Sequence, residues 1–146
     1  MRVMLDTNVL ISAIIFPNDR TDSLIYKATL EHKLVLSSCI IDELFDVTMR
    51  KFPDRIRNID LFLARLPYEL VYTPREQNHE LFSIRDADDY PVLYSAIIED
   101  VDLFVTGDDD FSDVEIEKPE IITPSEFLER YQMLGFFVSK KVFCIK

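Results

Sequence analysis

The sequence predicts an α/β domain built on a parallel β-sheet. Short runs of β-forming residues alternate along the chain with longer segments of helical periodicity, which is the pattern of consecutive strand-helix units. Several of the short runs are apolar throughout, as expected of strands that helices cover on both faces of a sheet. The chain has only two glycines and no repeat or Gly/Ser-rich linker, so nothing in it marks a boundary between domains.

The pattern places each element in order. Five strands are predicted, at residues 2–6, 34–38, 68–74, 102–107 and 120–123. Six helices are predicted, at about residues 8–15, 20–32, 40–51, 54–66, 91–99 and 124–134. The last helix has the clearest start, because Thr123 and Glu126 form a capping box and Pro124 stands at the first helical position.

The composition indicates one domain, with its cysteines reduced, that does not span a membrane. The chain has 146 residues, of which 48% are hydrophobic, so it can bury a core without disulfide staples. Cys39 and Cys144 belong to no CxxC pair or Cys/His cluster, and this indicates neither a zinc site nor a disulfide. Asp6 and Asn8 interrupt the apolar N-terminal run, no cleavage site follows it, and no other stretch is long enough to span a bilayer. We therefore expect a cytoplasmic protein without a membrane partner.

The net charge of −11 is unevenly distributed. Residues 86–129 contain 15 acidic residues and a single base, Lys118, whereas residues 1–85 are nearly balanced and residues 130–146 carry four bases and no acid. A charge this negative argues against a passive nucleic-acid binder, which needs Lys and Arg to replace phosphate counterions. It does not exclude a metal-dependent nuclease, because the carboxylates of such a site bind cations that face the phosphate.

Several acids are predicted to meet at one edge of the sheet. Asp6 ends the first strand, Asp108 follows the fourth strand across Gly107, and Asp89 precedes the helix that Pro91 opens. Ligands of an open parallel sheet bind at the carboxyl ends of the strands, so these acids are expected to face one crevice. Adjacent carboxylates repel one another, which raises their pKa values and favours the binding of a divalent cation.

Glu43 is a fourth candidate for this crevice. If Ser38 caps the helix after the second strand, Glu43 lies about one turn into the helix, on the side of Ile40 and Leu44. The candidate ligands are then all oxygens, with no histidine among them. Such a set favours Mg²⁺ or Mn²⁺ over Zn²⁺ or copper.

Each acid also has a simpler explanation. Asp89 is well placed to cap the next helix, and an isolated Glu43 would usually be solvated. Asp6 is a candidate N-cap as well, although Thr7 and Asn8 stand closer to the predicted start of their helix.

The remaining acids of the two clusters are assigned to turns. Asp86 and Asp88 are predicted to be caps or turn formers, and Asp109 to face solvent. Asp108 and Asp110 alternate toward one side of the loop, where a metal ion would neutralise them.

Four sequence motifs resemble the acidic motifs of the PIN domain, in the same order. They are "MLDTNVLISAI" at the start, "SSCIIDEL" around Glu43, "DADDYPVLYSAI" at 86–97 and "LFVTGDDDF" at 103–111. The resemblance extends from Arg2 to about Tyr131 and is strongest to bacterial toxins of toxin-antitoxin pairs, the relatives of VapC-type ribonucleases. It implies a three-layer α/β/α fold with a central parallel sheet of four to five strands, in a PIN-like domain at 1–135 followed by a C-terminal tail at 136–146.

The resemblance also implies a metal-dependent ribonuclease that uses Mg²⁺ or Mn²⁺. It implies that the catalytic and metal-binding acids are Asp6, Glu43, Asp89 and Asp108, with Asp110 as a further ligand or a group that orients water. It also implies that three residues hold these carboxylates by hydrogen bonds, namely Thr7, Asn8 and Thr106. By family analogy, the protein is a homodimer whose cleft an antitoxin blocks.

A basic segment is the one other candidate for RNA contact. Arg50, Lys51, Arg55 and Arg57 lie between two predicted helices and would suit an RNA backbone, although a solvated helix hairpin explains them equally well. The apolar and basic tail is expected to add a strand, pack in a dimer or bind a partner.

Two other classes of function stay open. A receiver-like phosphoacceptor domain also gathers acids around Mg²⁺ at strand ends, but no lysine follows the last strand, where "IITPSEF" stands. A catalytically silent PIN-like interaction module would bind a partner and leave RNA intact with any metal.

Overall fold

A computed structural model of the protein describes residues 1–131. The predicted end of the domain at residue 135 and the predicted tail at 136–146 lie outside the described residues. Within residues 1–131, no helix is both long and apolar enough to cross a lipid bilayer.

A five-stranded parallel sheet forms the centre of the domain, which confirms the predicted fold class. Its strands are β1 (Arg2–Leu5), β2 (Lys33–Ser37), β3 (Glu69–Val71), β4 (Leu103–Val105) and β5 (Glu120–Ile122). They lie in the order β3-β2-β1-β4-β5. The apolar runs in β1, β2 and β4 are buried, as the central position of these strands requires.

Six α-helices flank the sheet in the described part of the chain. They are α1 (Thr7–Ile15), α2 (Asp19–Tyr26), α3 (Ser38–Lys51), α4 (Ile56–Arg65), α5 (Tyr90–Ile98) and α6 (Pro124–Arg130). The helix predicted at 20–32 is two elements, because α2 passes into a π-helix at Lys27–Glu31. The capping box of Thr123 and Glu126 at the start of α6 is confirmed.

The caps predicted for two helices are wrong. Ser37, not Ser38, caps α3, since its hydroxyl accepts a hydrogen bond from Ile40 N at 3.3 Å. Helix α1 begins at Thr7, so Asp6 is its N-cap and neither Thr7 nor Asn8 takes that position. Patterns of hydrophobic residues locate an element better than its terminal residue, and this accounts for both differences.

The order of the strands brings the ends of β1 and β4 together. The chain moves outward from β1 through β2 to β3, and then returns to the other side of β1 with β4. Asp6, the residue after β1, donates its backbone N–H to Val105 O at the end of β4, at 3.0 Å. This reversal is a topological switch point, where an open parallel sheet leaves a crevice at the carboxyl ends of its strands.

Candidate metal centre

Asp6 is held rigidly at the switch point. Its carboxylate accepts hydrogen bonds from Thr7 N at 2.8 Å and from the Thr106 hydroxyl at 2.7 Å. The residue is only 6% exposed. Burial raises the pKa of Asp6 above its usual value, and the nearby Asp108 acts in the same direction against the two hydrogen bonds.

Thr106 connects Asp6 to the acidic loop after β4. While its hydroxyl donates to Asp6, the same oxygen accepts a hydrogen bond from Asp108 N at 3.0 Å. The Asp108 carboxylate in turn accepts from Asp110 N at 2.9 Å. Phe111 is fully buried and packs on Phe104 of β4, with ring centroids 5.1 Å apart, which anchors the loop in the core.

Glu43 approaches these acids from the first turns of α3. It is half-buried on the helix side that carries the buried Ile40 and Leu44, as predicted. Burial raises its pKa, followed by the charge of Asp6. The Thr7 hydroxyl lies near enough to act against this rise in pKa, but the hydroxyl is buried without a partner at hydrogen-bond distance within residues 1–131.

Asp89 completes the set of four predicted acids. It stands before α5, but its side chain makes no capping hydrogen bond, so the explanation of Asp89 as a side-chain cap is wrong. One carboxylate oxygen, Oδ2, is buried without a hydrogen-bond partner in the described part of the chain. Burial raises the pKa of Asp89 to about 7, and the charges of Asp108, Asp86, Asp6 and Glu43 add to the effect.

Asp86 joins this cluster, which the sequence did not predict. Its carboxylate accepts a hydrogen bond from Asp88 N at 2.9 Å, which confirms its predicted role in a turn. Carboxylate oxygens of Asp86, Asp89 and Asp110 nevertheless lie within 4.8 Å of one another. The residues 87–89 form a 3₁₀ turn, in which side chains three positions apart lie on the same side, and this brings Asp86 next to Asp89.

Some predicted residues take positions other than the expected ones. Asn8 is exposed, makes no side-chain hydrogen bond to the described residues, and lines a separate cavity of about 300 Å³. Thr7 contacts Asp6 through its backbone N–H rather than through its hydroxyl. Asp109 is exposed, as predicted.

A cleft of about 500 Å³ opens beside the acids. Glu43, Asp86 and Asp89 line it, together with Asp46 and other residues of α3 and α5. Arg50 is the one basic residue in its lining, and the other members of the basic segment, Lys51, Arg55 and Arg57, are exposed outside it.

The residues present fit a divalent cation. The converging side chains offer carboxylate oxygens alone, which Mg²⁺ and Mn²⁺ prefer. The buried Oδ2 of Asp89 lacks a partner in the described residues, and an unpaired charge in such a position is costly unless a cation accompanies it.

A parallel α/β domain with carboxylates gathered at its switch point defines a class of candidate metal-binding domains. Within that class, the chain belongs to the PIN domain family, whose sequence model matches residues 2–110. The match confirms the resemblance that the four acidic motifs indicate. No curated protein matches the sequence.

A comparison with solved structures confirms the fold. A chain in the crystal structure of VapBC2 from Rickettsia felis, bound to a DNA fragment from their promoter, has a TM-score of 0.67 and 20% sequence identity to this protein. The alignment covers 84% of this chain and 98% of that chain. The receiver-like alternative is wrong, because receiver domains have the strand order 2-1-3-4-5 rather than 3-2-1-4-5.

Proposed function

We propose that the protein is a metal-dependent ribonuclease in which Asp6, Glu43, Asp89 and Asp108 hold Mg²⁺ or Mn²⁺. The observation that carries this proposal is the buried, unpartnered oxygen of Asp89 beside other carboxylates. An arrangement that only stabilised the fold would place a base or a hydrogen-bond donor there.

The chemistry that such a cation supplies is the activation of water and the neutralisation of charge on a phosphodiester. The protein's own part is to keep the carboxylates in place. Thr106 orients Asp6 and the backbone of Asp108 at once, so the two acids keep a fixed relation. Asp110 and Asp86 border the same centre and would add ligands or orient water.

The proposed biological role is supported by family membership and by likeness of fold. The similar chain belongs to a complex named VapBC2, and we propose by analogy that this protein is the toxin of a toxin-antitoxin pair. Its partners would be an RNA substrate, a cognate antitoxin and a second copy of the chain in a homodimer. We also propose that it acts in the cytoplasm.

The proposal is tested by RNA cleavage with the purified full chain. A mixture of structured and single-stranded RNA is incubated with Mn²⁺, with Mg²⁺ or with chelator. We expect cleavage only with metal, and a loss of about a hundredfold or more in Asp89→Asn, which removes one charge of the centre. Asp109→Asn is the matched control, because this neighbouring acid is exposed and makes no side-chain hydrogen bond to residues 1–131.

Three outcomes separate the hypotheses. The ribonuclease is supported if cleavage requires metal, is lost in Asp89→Asn and is retained in the Asp109→Asn control. Metal binding without cleavage of any RNA favours the catalytically silent PIN-like module. Equal cleavage by wild type and Asp89→Asn would identify a contaminating nuclease and refute the assignment.

A further inference from the structure

Four basic side chains form a surface that we call the basic corner: Arg50, Lys51, Arg55 and Arg57. All four are exposed, and none makes a salt bridge or hydrogen bond through its side chain with the rest of the described chain. Elsewhere, basic residues in salt bridges with acids are Arg2, Lys33, Arg85, Lys118 and Arg130. The basic corner therefore carries four positive charges, against one acid in the same segment, Asp54, on a protein of net charge −11.

Helix stability does not explain the whole of the basic corner. Arg50 and Lys51 lie in the last turn of α3, where the helix dipole favours cations. Arg57 lies in the first turn of α4, and Arg55 precedes the helix as the last residue of a 3₁₀ turn, Pro53–Arg55, without making a capping hydrogen bond. A cation is unfavourable in the first turn of an α-helix, so helix stability does not explain Arg57. Residues that are unfavourable for the local structure in this way are often functional.

The basic corner is continuous with the acidic cleft. Glu43 and Arg50 both line the cleft and stand seven residues apart on α3. Seven residues are about two helical turns, so both side chains lie on one face of the helix, about 10 Å apart along its axis. A linear polymer that passes the acids can therefore reach the basic corner along the same side of α3.

An exposed aromatic ring borders the basic corner. Phe16, after the end of α1, is 57% exposed. It packs edge-on against Phe52, with ring centroids 5.5 Å apart, and Phe52 directly follows Lys51 in the chain. A fixed and exposed ring beside cations is the combination on which unpaired bases stack while their phosphates are bound.

We propose that the basic corner binds the backbone of single-stranded RNA that leaves the cleft, and that Phe16 stacks on one of its bases. This proposal rests on the ribonuclease function for its substrate, but it concerns a different surface. The acids repel phosphate, and the basic corner supplies an attraction for it. Stacking requires unpaired bases, which selects single strands over duplexes.

The test measures RNA binding apart from cleavage. A fluorescently labelled single strand of about 12 nucleotides, long enough for a site of this kind, is titrated with the full chain in chelator, where metal-dependent cleavage does not occur. A duplex of the same length is the competitor. Arg57→Gln and Arg65→Gln form a matched pair, since both arginines are exposed on α4 and make no salt bridge within residues 1–131.

We expect Arg57→Gln to weaken single-strand binding by about threefold and Arg65→Gln to leave it unchanged. The slope of log affinity against log salt should fall by about 0.7 in Arg57→Gln, because one fewer counterion is released. Arg55→Gln should weaken binding to a similar extent and leave the unfolding temperature unchanged, because the exposed Arg55 side chain makes no salt bridge or hydrogen bond within residues 1–131. That combination excludes misfolding as the cause.

Equal losses in Arg57→Gln and Arg65→Gln, or tighter binding of the duplex, would overturn the proposal. The proposal would also be overturned if all basic-corner variants kept their RNA affinity but lost binding to a copurifying protein. That result would assign the surface to a protein partner. Binding through the basic corner without cleavage in Mn²⁺ would refute the ribonuclease and leave this inference intact. Metal-dependent cleavage that the basic-corner variants leave unchanged would support the ribonuclease and overturn this inference.

Discussion

Acidic residues have opposite electrostatic surroundings at the two ends of the strands, which we call the amino edge and the carboxyl edge of the sheet. At the amino ends of the strands, Glu69 forms salt bridges with Arg2 at 2.6 Å and Lys33 at 3.3 Å. Asp102 accepts a hydrogen bond from Arg2 N at 2.8 Å and forms a salt bridge with Lys118 at 3.1 Å. Hydrogen bonding from Arg2 holds the pKa values of Glu69 and Asp102 below their usual range. These acids are charged and paired in the folded protein.

At the carboxyl ends of the same strands, burial raises the pKa values of Asp6, Glu43 and Asp89. In the described residues, none of these three carboxylates forms a salt bridge. Ionised acids at the amino edge therefore stabilise the fold, whereas ionised acids at the carboxyl edge cost stability in the absence of a cation. The difference separates the acids that stabilise the fold from the acids that we propose as metal ligands.

The largest expected effect is that of Asp6→Asn on the binding of Mn²⁺. Asp6 is the most buried of the predicted ligands, so loss of its charge should lower the affinity by about a hundredfold. Asp102→Asn removes an acid from the other end of the neighbouring strand and should leave the affinity unchanged. Calorimetric titration of both variants makes the comparison, and similar losses would show that the two edges do not differ in function.

Thr106→Val should have the next largest effect. Valine keeps the shape of the side chain but loses the hydrogen bonds to Asp6 and Asp108, and we expect about a tenfold loss of Mn²⁺ affinity. Thr48→Val is the matched control, because Thr48 is also fully buried and its hydroxyl bonds only to Leu44 O, within α3. Equal Mn²⁺ affinity in the two variants would mean that Thr106 serves packing rather than the acids.

The stability of the metal-free protein should decrease as the pH rises. The pKa of Asp89 is about 7 in the folded protein against a usual value of 3.8, so the folded state retains a proton that the unfolded chain has lost at intermediate pH. The stabilisation from this proton is present at low pH and is lost as the pH passes through about 7. In chelator, we expect the unfolding temperature to be lower at pH 8 than at pH 5 by about 5 °C.

Two comparisons sharpen the pH prediction. Mn²⁺ should restore the unfolding temperature more at pH 8 than at pH 5, because ionised carboxylates bind the metal. Asp89→Asn cannot ionise at this position, so its unfolding temperature should depend less on pH. An unfolding temperature that rises from pH 5 to pH 8 in chelator would contradict the electrostatic description of the carboxyl edge.

The sequence predicts this edge in large part, because position along a strand determines position in a parallel sheet. The apolar runs locate β1 and β4. Asp6 directly follows β1 and Asp108 stands three residues after β4, so the two acids are expected to be neighbours if the strands are. Helical periodicity likewise places Glu43 on the inner side of α3. The prediction needs no knowledge of distant contacts, since each residue is specified by its own element.

Features that depend on local irregularity or on distant pairing escape the sequence. The contribution of Asp86 arises from a 3₁₀ turn, which hydrophobic periodicity does not reveal. The pairing of Glu69 with Arg2 joins residues 67 positions apart, so the sequence alone does not distinguish Glu69 from the unpaired acids. The contrast between the two edges therefore becomes visible only in the folded chain.

The smallest expected effect belongs to the amino edge. Glu69→Gln removes the acid that Arg2 and Lys33 share, and for a partly exposed group of this kind we expect a loss of about 0.5 to 1 kcal/mol in the free energy of unfolding. Asp113→Asn breaks a more exposed salt bridge with Arg85 and should cost less. Urea unfolding measures both, and the difference should shrink at about 1 M salt, where screening is strong.

Glu69→Gln should also leave Mn²⁺ affinity unchanged, because its salt bridges lie at the opposite end of the strands from the acids. A loss of Mn²⁺ affinity in this variant would show that the two edges are coupled through the short strands. The amino edge would then help to position the metal ligands, and its ion pairs would serve the function as well as the fold.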